Sequence, residues 1–384
     1  MSFEGRQVKE IGERIDELAD LLTASGHLTD PRWREALHAV PRHLFAPPVA
    51  WVGSADGPDR RVDRADDEVA WLDAVYSDTP IVTQLDDGNT PLEKGGDNYT
   101  SSLSAPGIVI VFLELLQVWR YHRVLEIGTG TGWTAALLSA RVGAENVTTI
   151  EVDEQVSAQA AGNLRKSGYR PALICADGAR GRPEAAPYDR VHVTCGVREV
   201  PYQWVEQTRP GGRVVFPWMP GFAFGHQACL TVTGSGEAVG RFPGNAGYMM
   251  LRSQRFDRYA PPAEGGEKES TTRLDPRTVA WDSYGCDVAI AGMLPGVTSV
   301  EEETGDGSFR LHLRDPGGSW AVVHHERDRD EYPVRQAGER GLWDETEAAY
   351  LRWVSWGRPD RDRFGLTVTS EGQRVWLDSP SNVL

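Results

Sequence analysis

Cysteine is scarce in this sequence of 384 residues: Cys175, Cys195, Cys229 and Cys286 each stand alone in an apolar segment. With no C-x-x-C pair they supply neither a zinc site nor a disulfide framework, so they read as buried reduced thiols and no metal is expected. Long apolar runs are also missing. The longest, Gly107 to Leu116, is interrupted by Glu114 and falls well short of the about 20 residues that cross a bilayer, and the first residues are polar rather than signal-like. The expectation is a cytoplasmic protein with no membrane partner. Basic charge is in deficit too, 40 Lys and Arg against 56 Asp and Glu, a formal net charge of −16. Such a chain repels a phosphate backbone unless a basic stripe overrides it, and Arg60-Arg61 and Arg358 to Arg363 are interleaved with aspartates. Nucleic acid is therefore not an expected partner.

At 40% hydrophobic and 25% charged residues, the chain is composed like a folded protein long enough for two domains. Val8, Ile11, Ile15, Leu18 and Leu22 predict an amphipathic helix. Thr29-Asp30-Pro31 starts a second one, with Trp33, Leu37 and Val40 as its buried stripe. The charged, Gly- and Pro-bearing stretch Ser54 to Glu68 reads as a mobile surface insertion. From His122 onward strands and helices alternate: strand to Ile127, helix to Arg141, strand to Glu151, helix Glu154 to Lys166, strand Ala172 to Ala176, strand Arg190 to Thr194, helix Pro201 to Gln207, strand Arg213 to Phe216. That order predicts an α/β fold, a Rossmann-like doubly wound sheet whose ligand crevice lies at the carboxyl ends of its strands. Leu230 to Thr233, Gly234-Ser235-Gly236 and Glu237 to Phe242 predict a hairpin that closes one edge antiparallel.

After Ser253 the texture changes. Pro261-Pro262, Gly265-Gly266 and a charged stretch to Arg277 read as a linker, dividing residues 1–253 from a smaller α+β C-terminal domain, 254–384. Its expected strands are Asp287 to Ala291, Phe309 to Leu313, Trp320 to His324, Gly365 to Thr369 and Gln373 to Leu377, covered by a helix from Trp343 to Trp356. His324-His325 is not read as a metal pair, because adjacent strand residues face opposite ways.

The most informative run is Val124-Leu125-Glu126-Ile127-Gly128-Thr129-Gly130-Thr131-Gly132, where an apolar strand passes into a helix through alternating glycines. Glycine admits positive φ and close approach of a ligand, and the following helix points unspent N–H groups at it. A dinucleotide turn is G-x-G-x-x-G, built for pyrophosphate. The spacing here is G-x-G-x-G behind Glu126, an acid that repels phosphate and suits a cationic ligand such as S-adenosylmethionine (SAM). Val147 to Glu151 ends in a carboxylate about 20 residues on, the position that reaches ribose hydroxyls. Asp177-Gly178 ends the third strand, where an adenine amino group needs an acceptor, and Thr194 ends the next. The cofactor set is Glu126, Gly128, Thr129, Gly130, Gly132, Glu151, Asp177, Gly178 and Thr194, with NAD as the competing ligand. Thr100-Ser101-Ser102-Leu103-Ser104-Ala105-Pro106, ahead of a helix from Gly107 to Val118, reads either as a substrate loop or as helix-capping hydroxyls.

Several blocks, in order, resemble the protein L-isoaspartate O-methyltransferase family: Val40-Pro41-Arg42-His43-Leu44-Phe45, Tyr76-Ser77-Asp78, Ser104-Ala105-Pro106, the glycine run, Asp177-Gly178, Ala186-Pro187-Tyr188-Asp189-Arg190 and Val200-Pro201. The likeness covers Ala36 to Pro217. It implies a class I SAM-dependent methyltransferase fold, with Ser104, joined by Ser102, as hydroxyls beside the acceptor carboxylate and Gly128, Gly130, Glu151 and Asp177 as cofactor contacts. Repair enzymes of the family have a compact P-L-P-I-G segment before their serine and stop soon after the sheet. Here Thr79 to Gln84 leads into a longer acidic loop through Asn98, and a C-terminal domain follows. Those departures resemble the branch encoded beside ribosomally made, post-translationally modified peptides (lanthipeptides, graspetides, lasso peptides). The resemblance implies a cyclised precursor peptide as partner and esterification of one of its aspartates, the ester then collapsing to an aspartimide or onward to isoaspartate. Repair of isoaspartate in aged proteins and a peptide-binding module on a vestigial SAM fold are the alternatives. The C-terminal domain could grip the precursor, recognise a leader or mediate dimerisation.

Overall fold

The computed structural model describes residues 3–53, 59–256, 266–305 and 307–384, with side chains from residue 10 onward. It divides into two compact units: Met1–Cys195 with Glu206–Phe216, and Gly196–Val205 with Pro217–Leu384. Among the described residues no helix is long and apolar enough to cross a membrane.

The first unit opens with α1 (Phe3–Ala24) and α2 (Pro31–Ala39). Ile15, Leu18 and Leu22 are buried, whereas the side chain of Val8 lies outside the described residues. Asp30 caps α2 by accepting the Arg32 N–H at 2.9 Å, and Trp33 and Leu37 are buried as the spacing requires. A four-stranded antiparallel sheet follows in the order β2-β1-β3-β4: β1 (Val49–Val52), β2 (Arg60–Asp63), β3 (Ile81–Leu85) and β4 (Tyr99–Leu103), with α3 (Glu68–Val75) between β2 and β3. The expected insertion from Ser54 to Glu68 is thus corrected at Arg60–Asp63, an edge strand with a single buried side chain, Val62, while residues 54–58 lie outside the described residues.

After α4 (Pro106–Leu116) comes the doubly wound core: β5 (Val124–Ile127), α5 (Trp133–Val142), β6 (Val147–Glu151), α6 (Glu154–Lys166), β7 (Ala172–Cys175), β8 (Tyr188–Val193), α7 (Tyr202–Glu206) and β9 (Thr208–Trp218). The strands pair in parallel as β9-β8-β5-β6-β7. Chain order therefore reverses between β5 and β8, the point where such sheets open a ligand crevice. Every residue of β5 is buried, as a strand covered on both faces must be. Cys175 is exposed at the edge strand β7, and of the four thiols only Cys286 is fully buried. The reading of all four as buried is thus corrected: Cys195 and Cys229 are half-buried, and Cys175 ends β7, which has no neighbouring strand on its outer side among the described residues.

In the second unit, β10 (Gly225–Val232) and β11 (Ala238–Ala246) form the expected hairpin. It does not close an edge, because β17 (Phe364–Thr369) pairs with β11 and β18 (Gly372–Leu377) pairs with β17. That long-range pairing also explains why the units part well before residue 253. Residues 268–337 supply a five-stranded antiparallel sheet in the order β12-β16-β15-β14-β13: β12 (Lys268–Thr272), β13 (Thr298–Glu303), β14 (Phe309–Arg314), β15 (Trp320–His325) and β16 (Tyr332–Ala337). The helices are α8 (Pro276–Trp281), α9 (Tyr284–Met293) and α10 (Leu342–Ser355). Asp287 to Ala291, expected as a strand, lies inside α9, whose N-cap Ser283 accepts the Cys286 N–H. Of the linker expected from Pro261-Pro262 to Arg277, residues 261–265 lie outside the described residues, and the rest is corrected: Lys268–Thr272 is β12, held by pairing with β16, and Pro276 starts α8.

His226 of β10 is fully buried beside the Trp218 and Phe242 rings, with no hydrogen-bond partner for either nitrogen among the described residues. Burial, with Arg361 adding repulsion, pushes its pKa down to about 3. The unfolded chain takes up this proton below about pH 6.5 and the folded one does not until about 3, so stability is lost as pH falls through that window. His226→Phe is expected to flatten the acid side of the thermal-midpoint-versus-pH curve. An unchanged slope between pH 6 and 4 would clear this histidine of the effect.

Candidate functional site

The glycine turn leaves β5 at Ile127. Gly128, Gly130 and Gly132 all hold positive φ, +88°, +54° and +90°. A Cβ on Gly128 would stand 2.6 Å from the Thr194 hydroxyl, and one on Gly132 would stand 3.1 Å from Leu164. Gly130 differs: a Cβ there would meet only the Ser102 carbonyl oxygen, at 3.6 Å. The turn's open side therefore faces β4. Four of its N–H groups are spent internally, Gly128 and Thr129 on the Ile150 carbonyl (2.9 and 3.2 Å), Gly130 on Glu151 Oε2 (2.9 Å) and Gly132 on the Thr129 carbonyl (2.9 Å). The helix α5 that follows has no side-chain cap, which leaves its first N–H groups for water or a ligand.

Glu126 sits opposite Thr149 of β6 and His192 of β8. Its carboxylate is wholly buried, accepts the Thr149 hydroxyl at 2.6 Å and lies 3.8 Å from His192 Nδ1. The Thr129 hydroxyl meets that of Thr149 at 2.6 Å. Both side chains thus brace the turn from beneath instead of lining an open crevice. Thr194 likewise turns inward, its hydroxyl donating to the carbonyls of Ile127 and Gly128. Gly178 is required by packing, since a Cβ would stand 2.6 Å from the Ile127 side chain.

Two carboxylates remain at the strand ends. Glu151, 8% exposed, accepts the Gly130 N–H and, at 3.1 Å, the Asp153 N–H. Burial raises its pKa while these backbone donors pull it down. Asp177 is exposed at the end of β7 and accepts the Ala179 N–H at 3.0 Å. The donor set decides between ligands. A pyrophosphate is cradled by free N–H groups of the turn, and here those of Gly128, Thr129, Gly130 and Gly132 are already bonded within the chain. Acceptors at successive strand ends suit ribose hydroxyls and an adenine amino group, and the side of Gly130 that a Cβ would fill gives room beside Ser102. These residues fit SAM and not a dinucleotide.

The serine segment is not a loop. Thr100 to Leu103 belong to β4, with Ser102 paired to Val82, and Ser104 follows it half-buried. Neither Ser102 nor Ser104 caps α4: its N-cap is Ala105, without a side-chain bond, and Asp78 takes the Gly107 N–H at 2.6 Å. Three residues that sequence reading gave no role complete the arrangement. Arg42, 1% exposed, donates to the carbonyls of Val75, Ser77, Thr79, Leu103 and Ser104. Asp78 fixes the start of α4. Gln84 of β3 accepts the Thr100 hydroxyl at 2.9 Å and donates to Asp153 Oδ2 at 3.2 Å, tying the hairpin to the end of β6. A Cβ on Gly88 would meet the Gln155 side chain at 3.0 Å, so the acidic turn after β3 packs on the start of α6. Arg42 and Asp78 both lie in the blocks V-P-R-H-L-F and Y-S-D, which were the signal available for them.

The family model of Protein-L-isoaspartate(D-aspartate) O-methyltransferase (PCMT) matches residues 62–236. The protein-L-isoaspartate O-methyltransferase of Methanopyrus kandleri is 34% identical over 205 residues, 53% of this chain and 75% of that protein. That of Methanosarcina mazei is 31% identical over 218 residues, 56% of this chain and 75% of that protein. A solved structure of a protein-L-isoaspartate O-methyltransferase, 22% identical, matches with a TM-score of 0.54 over 95% of this chain and 100% of that chain. This likeness concerns the fold alone and, at 95% of this chain, extends over most of the C-terminal unit. The class I methyltransferase fold, the SAM-suited crevice and these relatives agree: the chain belongs to the protein-L-isoaspartate O-methyltransferase family and is a SAM-dependent protein carboxyl O-methyltransferase.

Proposed function

We propose that the chain esterifies an aspartate side chain of a cyclised, ribosomally made precursor peptide. The observation that carries this reading is the β3–β4 hairpin: its long connection, with Asp86, Asp87, Glu93 and Asp97, stands where the repair enzymes have a compact segment, and it packs on the start of α6 beside the cofactor crevice. Glu151 takes the ribose hydroxyls, Asp177 the adenine amino group, and the turn from Gly128 to Gly132 the remainder of the cofactor, with Glu126, Thr129, Gly178 and Thr194 holding that turn. SAM supplies an electrophilic methyl group. The acceptor carboxylate, with a pKa near ~3.9, is already ionised at neutral pH, so no general base is needed. The chain's task is to replace the carboxylate's water shell with fixed donors and to aim it, a contribution that reaches about 7–11 kcal/mol. Ser104 and Ser102 supply hydroxyl donors. In the ester, the next residue's amide nitrogen attacks the side-chain carbonyl, a C–N bond forms, methanol leaves with the amide proton, and an aspartimide remains.

Repair of isoaspartate in aged proteins is the second reading, favoured by the names of the relatives and by the solved structure's coverage of this chain. Acceptor choice separates the two. With a cyclised Asp-containing precursor, mass spectrometry should record the gain of a methylene and then loss of methanol, with little transfer to a linear isoaspartyl peptide. The reverse preference would replace the first reading by the second. Under either reading Ser104→Ala is expected to lower turnover by about 10²-fold, the scale of losing one positioned donor, with SAM affinity nearly unchanged. Unaltered turnover would remove Ser104 from the site.

A further inference from the structure

In the second unit a cavity of about 640 Å³ opens between the β10–β11 hairpin, the α8–α9 junction and the turn at Asp360–Asp362. Its volume is in the range of sites that hold a small ligand or one or two side chains. Phe224, Trp281 and Tyr284 line it and are 57%, 49% and 41% exposed, a concentration of aromatic surface that isolated chance exposure does not produce. Phe224 and Tyr284 meet edge to face at 5.9 Å, and Trp281 packs edge to face on Phe309 at 4.8 Å, so these rings are held as walls.

The charge in the cavity is one-sided. Among the described residues, Asp282, Asp287, Asp360 and Asp362 line it against one lining cation, Arg361. Asp282 is engaged by Arg358 and the Tyr350 hydroxyl. Arg361 is directed to Asn245 and stacks over the Tyr284 ring at 4.8 Å. Asp287, 3% exposed, is held by the Phe224 N–H, and burial pushes its carboxyl up to about 8, with Glu301 and Asp282 adding and Arg361 opposing. Aromatic faces beside a carboxyl group short of positive charge suit a guanidinium or ammonium on an aliphatic stem. The Arg361–Tyr284 stack already displays that contact within the chain.

We propose that this cavity seats a Lys or Arg side chain of the enzyme's peptide or protein substrate, as an anchoring site additional to the methyl-transfer crevice. The site serves a modified precursor and an aged protein equally, so it stands independently of the choice between them. The test is calorimetric titration of the full chain, without SAM, using a short capped alanine peptide with two arginines and its glutamine counterpart. The arginine peptide is expected to bind roughly tenfold tighter or more, and Tyr284→Ala and Asp287→Asn are each expected to weaken it about tenfold. SAM binding by the same two variants reports that the first unit is intact, and the exposed substitution Asp362→Asn serves if Asp287→Asn does not fold. Near pH 7 the bound cation should also expel the Asp287 proton, so the measured heat should vary with the buffer's ionisation enthalpy in the unaltered chain and not in Asp287→Asn. The titratable and charged groups acting on Asp287 are Glu301, Arg361, Asp282 and Cys286, and the variant leaves all of them in place. Equal affinity for the two peptides, no binding of the arginine peptide, or binding that both variants leave unchanged would overturn the proposal. None of these outcomes involves methyl transfer, so the proposed function would stand or fall separately.

Discussion

Arg42→Met is expected to cost about 3–5 kcal/mol of stability and to abolish most turnover, the signature of removing a buried charged partner. The guanidinium is 1% exposed and serves five backbone carbonyls, with distances of 3.3 Å to Ser77, 3.0 Å to Thr79, 3.2 Å to Leu103 and 2.9 Å to Ser104. Its guanidinium carbon lies over the Trp133 ring, 5.3 Å from the centroid. Burial lowers its pKa to about 9 against the pull of Asp78, so the group remains charged at neutral pH. Methionine would fill much of the volume but offer no donor, and each carbonyl left without a partner away from water costs ~1–3 kcal/mol. The consequence reaches the chemistry, because the Leu103 and Ser104 carbonyls are the anchors of the serine that the proposed reaction uses. Arg42→Lys keeps the charge but has three donors on a point-like head in place of a planar fork. It should recover part of the stability and little of the turnover. Urea unfolding together with initial rates on the same samples checks both, and a methionine variant as stable as the parent would refute the account.

Local pattern accounts for what could be read from the sequence alone. The β5–α5–β6–α6–β7 run follows from short apolar strands alternating with amphipathic helices, and the structure reproduces those limits to within a residue or two because each signal lies inside its own element. Longer-range facts were hidden. Nothing near Arg60–Asp63 announces that a charged stretch pairs with β1, and nothing near Phe364 announces that β17 joins β11. The apolar run inside α9 was too short to separate a buried strand from a buried helix, and the discriminating signal was Ser283, whose hydroxyl starts the helix by accepting the Cys286 N–H at 3.3 Å. At the site, the glycines and both strand-end acids were legible by spacing. The direction of a side chain was not: Glu126 was read as facing a cationic ligand, but strand alternation turns it to Thr149 and His192. Arg42 was visible only as a letter in a motif, since its role depends on carbonyls up to Ser104 meeting around it.

Glu151→Ala should weaken SAM binding by about 10²-fold or more while leaving the fold intact. In the ligand-free chain this carboxylate already draws on three backbone donors, the Gly130 N–H on one oxygen, the Asp153 N–H on the other, and the Val152 N–H. Its remaining lone pairs are those proposed to receive the ribose. Alanine would therefore remove the acceptor oxygens proposed for the cofactor and, in the same step, free the Gly130 N–H that fixes the turn at its open side. Hydrogen bonds to a charged group contribute ~1.5–3 kcal/mol each, and about 1.4 kcal/mol is a factor of ten, so the loss of even one such bond with partial relaxation of the turn gives the stated scale. Glu151→Gln retains one carbonyl acceptor and should fall between the two. Asp177→Asn, at an exposed position where water can substitute, should lose less than either. Calorimetry with SAM orders the three, and thermal unfolding without ligand verifies that the fold survives. Should Glu151→Ala lose turnover while its SAM affinity stays at the parent value, the carboxylate acts on the acceptor side of the reaction and the ribose assignment is wrong.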